Sequence, residues 1–135
     1  MYPHEHVEIE GNLLTTAGIN LMLSLLTNQG GTHFGNANAH LGVGNSSTAA
    51  ADTDTDLIGA SKTRKAMRSV AFPSVPASKS VQFSSDFLTG EANYAWAEWV
   101  IANASSAGTI LNRKVEALGT KASGTWTLTV TVSIS

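Results

Sequence analysis

The residues that could do chemistry are few and scattered. Asp52-Thr53-Asp54-Thr55-Asp56 sets oxygen ligands at alternate positions, as the start of a calcium-binding loop does. The signature stops there. Leu57 stands where such a loop needs its sharp-turn glycine, and Thr63 stands where it needs a bidentate glutamate. Asp52, Asp54 and Asp56 could hold a hard cation weakly. The plainer reading is a solvated acidic turn, or a cap for a short helix beginning near Leu57. His4 and His6 share one face of an alternating segment, a geometry metals accept, and a solvated strand face is again the plainer reading. Glu98 is a lone carboxylate in an apolar stretch. A catalytic role would ask for a second acid, a nucleophile or a histidine at suitable spacing, and the sequence offers none. A buried carboxylate needs a partner, so Glu98 is expected to form a structural ion pair with Arg113, with Arg68 second in line. The expectation is therefore no catalytic residue, no metal and no cofactor.

The stretch that carries Glu98, Asn93 to Ala102, organises the rest. As a strand it places Tyr94, Trp96, Glu98 and Val100 on one face and Ala95, Ala97, Trp99 and Ile101 on the other. Both faces are largely apolar, so this reads as a central strand covered on both sides. Residues 4–10 alternate and form a short edge strand or an extended arm. Thr15 or Thr16 caps a helix running to about Asn28 and ending at Gly30-Gly31. Ile19, Met22, Leu23 and Leu26 make one stripe of that helix, and Leu14, Leu21 and Leu25 make a second. One side packs on the domain's own sheet; the other meets a neighbouring chain or a long loop. The interface is expected at Leu21 and Leu25, with Arg64 and Lys65 meeting an acidic patch such as the 52–56 loop of an adjacent copy.

Further strands are expected over 39–44, from Lys62 to about Phe72, from Ser78 to about Leu88, over 109–118, and from Thr125 to Ser135. The last alternates throughout, with Trp126, Leu128, Val130, Val132 and Ile134 inward. These elements predict a mainly β chain: an antiparallel β-sandwich with one N-terminal α-helix. Residues 1–12 would form the arm or edge strand and 13–135 a single sandwich domain.

Composition narrows the function classes. The absence of cysteine excludes disulfides, thiol catalysis and cysteine zinc sites. Charged residues make up only 13% of the chain, about half the usual share, and the net charge is −2. Such a surface suits a protein packed against neighbours, or a solvated Ser/Thr/Asn surface. No basic stripe invites nucleic acid. The longest apolar run, Ile19 to Leu26, is interrupted by Asn20 and Ser24 and is far too short to span a membrane. No secretion signal is expected, because His and Glu stand where Lys or Arg would be. The glycosylation patterns at Asn45 and Asn103 therefore carry no weight.

The order of motifs adds a resemblance. Leu14-Thr15-Thr16-Ala17-Gly18 is followed by Leu41-Gly42-Val43-Gly44 and by an Asp/Thr/Ala loop closing on Leu57. A basic residue comes next, Arg64 or Arg68, and then the turn Gly90-Glu91-Ala92-Asn93 leads to Glu98. Leu111-Asn112-Arg113-Lys114 and a terminal strand close the chain. Over most of residues 13–135 this resembles small virion structural proteins of tailed bacteriophages, which are often jelly-rolls or related sandwiches. In many of those the strand glutamate is followed by a hydrophobic residue and a glycine; here Trp99-Val100 follows. The resemblance implies a capsid cement or decoration protein in the virion, assembled in the bacterial cytoplasm. It would be a homo-oligomer, a trimer first, bound to the major capsid protein, with no nucleic acid, membrane or small-molecule substrate. A tail, baseplate or fibre-attachment component is the alternative. A carbohydrate-binding jelly-roll is a third reading, with Trp96, Trp99 or Trp126 stacking on sugar rings, although their strand positions place them in the core.

Overall fold

In the computed structural model, which describes residues 12–134, alternation and turn chemistry produce seven antiparallel strands and one helix. They are β1 (Asn12–Leu14), α1 (Thr16–Leu26), β2 (His40–Gly44), β3 (Lys62–Ala66), β4 (Ser80–Phe87), β5 (Ala95–Ala102), β6 (Ile110–Thr120) and β7 (Trp126–Ser133). The larger sheet has five strands in the order β1-β6-β5-β2-β3, and the smaller pairs β4 with β7. The two form a β-sandwich. The expected arm, residues 1–11, lies outside the described residues, and Asn12 already belongs to β1.

The core lies between the sheets. Leu41, Val43, Trp96, Trp99, Ile101 and Leu111 from the larger sheet meet Phe83, Phe87, Leu128 and Val130 from the smaller. Trp96 sits edge-on between Phe87 and Trp126, with ring centroids 5.0 and 5.1 Å away. Strict alternation puts Trp96 and Trp99 on opposite faces, yet both join this core. The pairing of β5 with β6 is irregular there. From Trp96 to Glu98 the chain advances two residues, while β6 advances four, from Gly119 to Val115. A bulge of this kind rotates the following side chains relative to the preceding ones. A second irregularity, between Ile101 and Ala102, leaves Leu111 as an extra residue of β6.

The far face of the larger sheet buries a smaller cluster of Leu57, Val100, Ala102 and Ile110 under α1 and the 45–61 loop. Thr15 starts the helix. Its hydroxyl accepts from Gly18 N at 2.9 Å and donates to Ile110 O at 2.6 Å, and its own amide donates to Leu111 O at 3.0 Å. The carbonyls around the second bulge are thus taken up by the helix cap. The helix ends in a Schellman arrangement rather than at the glycines. Asn28 takes a left-handed φ of 56°, Asn28 N donates to Leu25 O and Gln29 N to Ser24 O.

One strand is shorter than expected. β3 stops at Ala66 instead of reaching Phe72. Phe72 N donates to Ser69 O at 3.1 Å, closing a turn on which Val70 is 92% exposed. The chain then runs beside β4, with Arg68 N donating to Ser84 O and Ser74 N to Gln82 O. No helix among the described residues is long and apolar enough to cross a membrane.

Candidate functional site

The helix-bearing face of the larger sheet combines a sealed ionic clamp with an open apolar ridge. Glu98 is fully buried and its two oxygens take four donors. Arg113 Nε reaches Oε1 at 2.7 Å and Ile58 N reaches it at 2.9 Å. Gly59 N and Ser46 N reach Oε2 at 2.7 and 3.2 Å. The sequence pairs these two residues because Val100 and Arg113 are cross-strand partners and Glu98 lies two residues along β5. Room for the carboxylate comes from glycines. A side chain on Gly44 would collide with Glu98 Oε2, and one on Gly59 would stand 2.8 Å from it.

Arg113, itself fully buried, continues the clamp. Its Nη1 meets Asp54 Oδ2 at 3.2 Å, and the same oxygen accepts from Ala51 N at 3.0 Å. Its Nη2 is buried with no hydrogen-bond partner among the described residues. Two residues before Asp54, Asp52 O accepts from Thr16 N at 2.9 Å. A continuous chain of contacts therefore runs from Glu98 through Arg113 and the 51–54 turn to the first turn of α1. Saturated and without solvent contact, the carboxylate is a fastening rather than a reagent: each proton donor it could use is already engaged.

What this fastening holds in place is α1. Gly18 is the one buried residue of the helix, and a Cβ there would stand 2.6 Å from Leu111 O. The helix thus lies almost against the backbone of β6 along one narrow line. Its apolar stripe faces away: Ile19 is 41%, Leu23 54% and Leu26 80% exposed, with Met22 beside them.

Leu21 and Leu25, where an interface is expected, lie on the less open side of α1. Both are half-buried, and Gly31 packs beside them, with a Cβ there 2.5 Å from Leu21 Cδ1 and 3.7 Å from Leu25 Cδ2. Leu14 of the same stripe is 44% exposed, and the stripe of Ile19, Met22, Leu23 and Leu26 is the more open of the two. Arg64 and Lys65 are also engaged within the chain. Arg64 donates to Asp56 Oδ1 at 3.0 Å and to the carbonyls of Ala104 and Ala107, both at 2.9 Å. Lys65 pairs with Glu91 at 2.8 Å. The basic run does meet the 52–56 loop, but that of its own chain.

The three aspartates diverge rather than converge. Asp54 faces Arg113, while Asp56 is shared by Lys62 and Arg64. Among the described residues no group of three His, Asp or Glu side chains is placed to hold a metal ion. Burial opposes ionisation of Asp56, but the bonds from Lys62 and Arg64 and from the Leu57 amide outweigh it and hold its carboxyl below the ordinary value. Burial pushes the Tyr94 phenol up, and the Glu98 charge adds to this against the opposing Thr63 hydrogen bond. Arg68, the second choice for Glu98, instead lies 3.3 Å from Asp86. His4 and His6 fall outside the described residues.

Trp96 and Trp99 are 3% and 8% exposed, and half-buried Trp126 leans on Trp96, so the tryptophans form no open platform for a sugar ring. Sequence reasoning missed Lys121. Its ammonium is buried and donates to Leu88 O at 2.7 Å and Asn93 Oδ1 at 2.8 Å, pinning the turn before β5. A lone lysine beside Thr and Ala gives no sign of this. Comparison with protein-family models, curated proteins and solved structures finds no match for the chain.

Proposed function

We propose that this chain is a non-enzymatic structural protein of a bacteriophage virion, of the cement or decoration type. It works as a homo-oligomer, a trimer first, on a shell of the major capsid protein. The observation that supports this reading is the ridge of Ile19, Met22, Leu23 and Leu26. Its spacing is that of one continuous helical stripe, and soluble monomers seldom leave such stripes open. The ridge is also rigid, because Thr15, Gly18 and the Glu98–Arg113–Asp54 clamp tie the helix to the sheet. A preformed apolar ridge associates at a reduced ordering cost, and many copies with modest contacts add up by avidity. In this reading the ridge closes at the symmetry axis of the oligomer.

Absolute mass by light scattering tests it, followed by co-sedimentation with assembled shells. The full chain is expected to be a trimer that pellets with shells. Leu23→Ser with Leu26→Ser is expected to weaken the oligomer while the fold of the single chain, read by circular dichroism, stays intact, since both residues are exposed within it. A sixfold ring would move the protein to the tail. A wild-type monomer that ignores shells would sink the proposal.

A further inference from the structure

The two sheets are unequal, and the mismatch has a location. β4 lies over β2 and β3. β7 lies over β5 and β6, where the Trp126 ring meets Trp96 and approaches Gly119. Among the described residues, neither β4 nor β7 packs substantially on β1. Leu14 pairs with Asn112, which pairs with Ile101 of the core, so Leu14 faces inward by register, yet it is 44% exposed. Among the described residues no strand pairs with the second side of β7.

The free edge of β7 is built to take one. Gln82 and Ser84 direct their carbonyls away from β7, toward Ser74 and Arg68. Their partners on β7 are Thr131 and Thr129, so in an antiparallel pair these direct their own N–H and C=O groups to the opposite, open side. Among the described residues that side is unpaired. Exposed edges are normally blunted by charge, proline or a bulge. Trp126–Ser133 has eight residues, none charged and none proline, and its pairing with β4 runs without a shift. At the Ser133 end a groove of about 470 Å³ opens between Pro76, Val81, Val132 and Ile134, with Lys79 on its rim.

We infer that the β7 edge is completed by residues 4–10 of a second copy of this chain. The segment alternates, with Glu5, Val7 and Ile9 on one face. That face offers two aliphatic side chains to the groove and one carboxylate to Lys79. The segment cannot serve its own β7 over its full length. Only Gly11 separates it from β1, and two residues reach about 7 Å, short of the roughly 10 Å between packed sheets. Nor does it suit a continuation of β1 along β6. The register of Asn12 with Lys114 would set Glu10 opposite Glu116, and like charges directly opposite repel. Donation to a neighbour satisfies the edge, the groove and the charges together. The inference rests on the homo-oligomer reading above and not on the virion.

Complementation between two full-length variants tests it. Val7→Glu with Ile9→Glu spoils the donor segment and leaves β7 intact. Thr131→Pro removes one outward N–H and leaves the β4 ladder intact, as proline is tolerated on a strand edge. Hydrogen exchange is read at the amides of Thr127, Thr129 and Thr131. Protection is expected in the wild-type oligomer and should fall about tenfold or more in the donor variant. Adding unlabelled Thr131→Pro protein to the isotopically labelled donor variant is expected to restore protection at Thr129, because its intact segment can reach the intact edge. No restoration, with the wild type protected at any dilution, would place the segment on its own chain and overturn the inference. Unprotected amides in a wild-type oligomer would overturn it too, while leaving the helix ridge as the contact. An oligomer that passes this test but ignores shells would instead remove the virion reading alone.

Discussion

The two faces of the central sheet are held by opposite means. Between the sheets, Trp96, Trp99, Ile101, Phe87 and Leu128 fill space with bulk, and the binding is non-directional. On the helix side, one carboxylate, one guanidinium and three close-packed glycines at 42, 44 and 59 hold the loop and the helix by directed bonds and close approach. A face built from bulk yields by small repacking. A face built from buried charge has no intermediate state: its partners are all present or a charge is stranded.

The sharpest break of that contrast is Arg113→Ala. It strands Glu98 among amides and is expected to cost about 3–5 kcal/mol, against about 0.5–1.5 kcal/mol for Ile101→Val on the apolar face. Urea unfolding of both variants measures the ratio, and equal costs would erase the distinction between the faces. Next comes Gly18→Ala. In a free helix this change gains about 1 kcal/mol, but here the new Cβ meets Leu111 O at 2.6 Å and Ile110 O at 2.8 Å. A net loss of about 1–3 kcal/mol is expected, as for other overpacked sites, and a raised melting temperature would show that the helix can slide off the sheet.

The smallest effect is acid sensitivity on the clamp side. The folded-state pKa of Asp56 lies below 3.8, so its contribution is complete above that value and is lost as pH falls through the folded one. Its side chain is 37% exposed, which keeps the contribution modest. Asp56→Asn should lower stability modestly at neutral pH and flatten the acid limb below about pH 4, where the two curves converge. An unaltered acid limb would assign that limb to other carboxylates.

How much of this was legible in the chain follows from the range of each signal. The sandwich and the terminal strand rest on local periodicity and the helix start on a capping threonine; Thr15 rather than Thr16 is the cap, and the last strand keeps Leu128 and Val130 inward but ends at Ser133, leaving Ile134 67% exposed. The approach of Arg113 to Glu98 could be read because one short turn joins their strands, so they are near neighbours in register. The common face of Trp96 and Trp99 could not, because a period of two carries no mark for a bulge whose extra residues lie in the partner strand. The same limit hid Asp54. Its oxygens look like cation ligands in their own segment, and the cation they meet, Arg113, is a side chain 59 positions away. Which helical stripe stays open was equally hidden, since Gly31 has no periodicity and yet covers Leu21.

The clamp grips the 45–61 loop at both ends chiefly by its peptide amides: Ser46 N on one side, Ile58 N and Gly59 N on the other. An amide is supplied by almost any amino acid, so at these three positions the grip does not depend on the side chain, and the side-chain demands of the loop fall on its second half, where Asp54 meets Arg113 and Leu57 is buried. Ser47, Thr48 and Ala49, exposed at the crest, are therefore free to be rewritten or lengthened, because doubling a loop adds only about 0.6 kcal/mol of closure entropy. The fold carries a ready-made display site, in which a foreign peptide inserted at the crest would inherit a stiff base from a carboxylate it never touches.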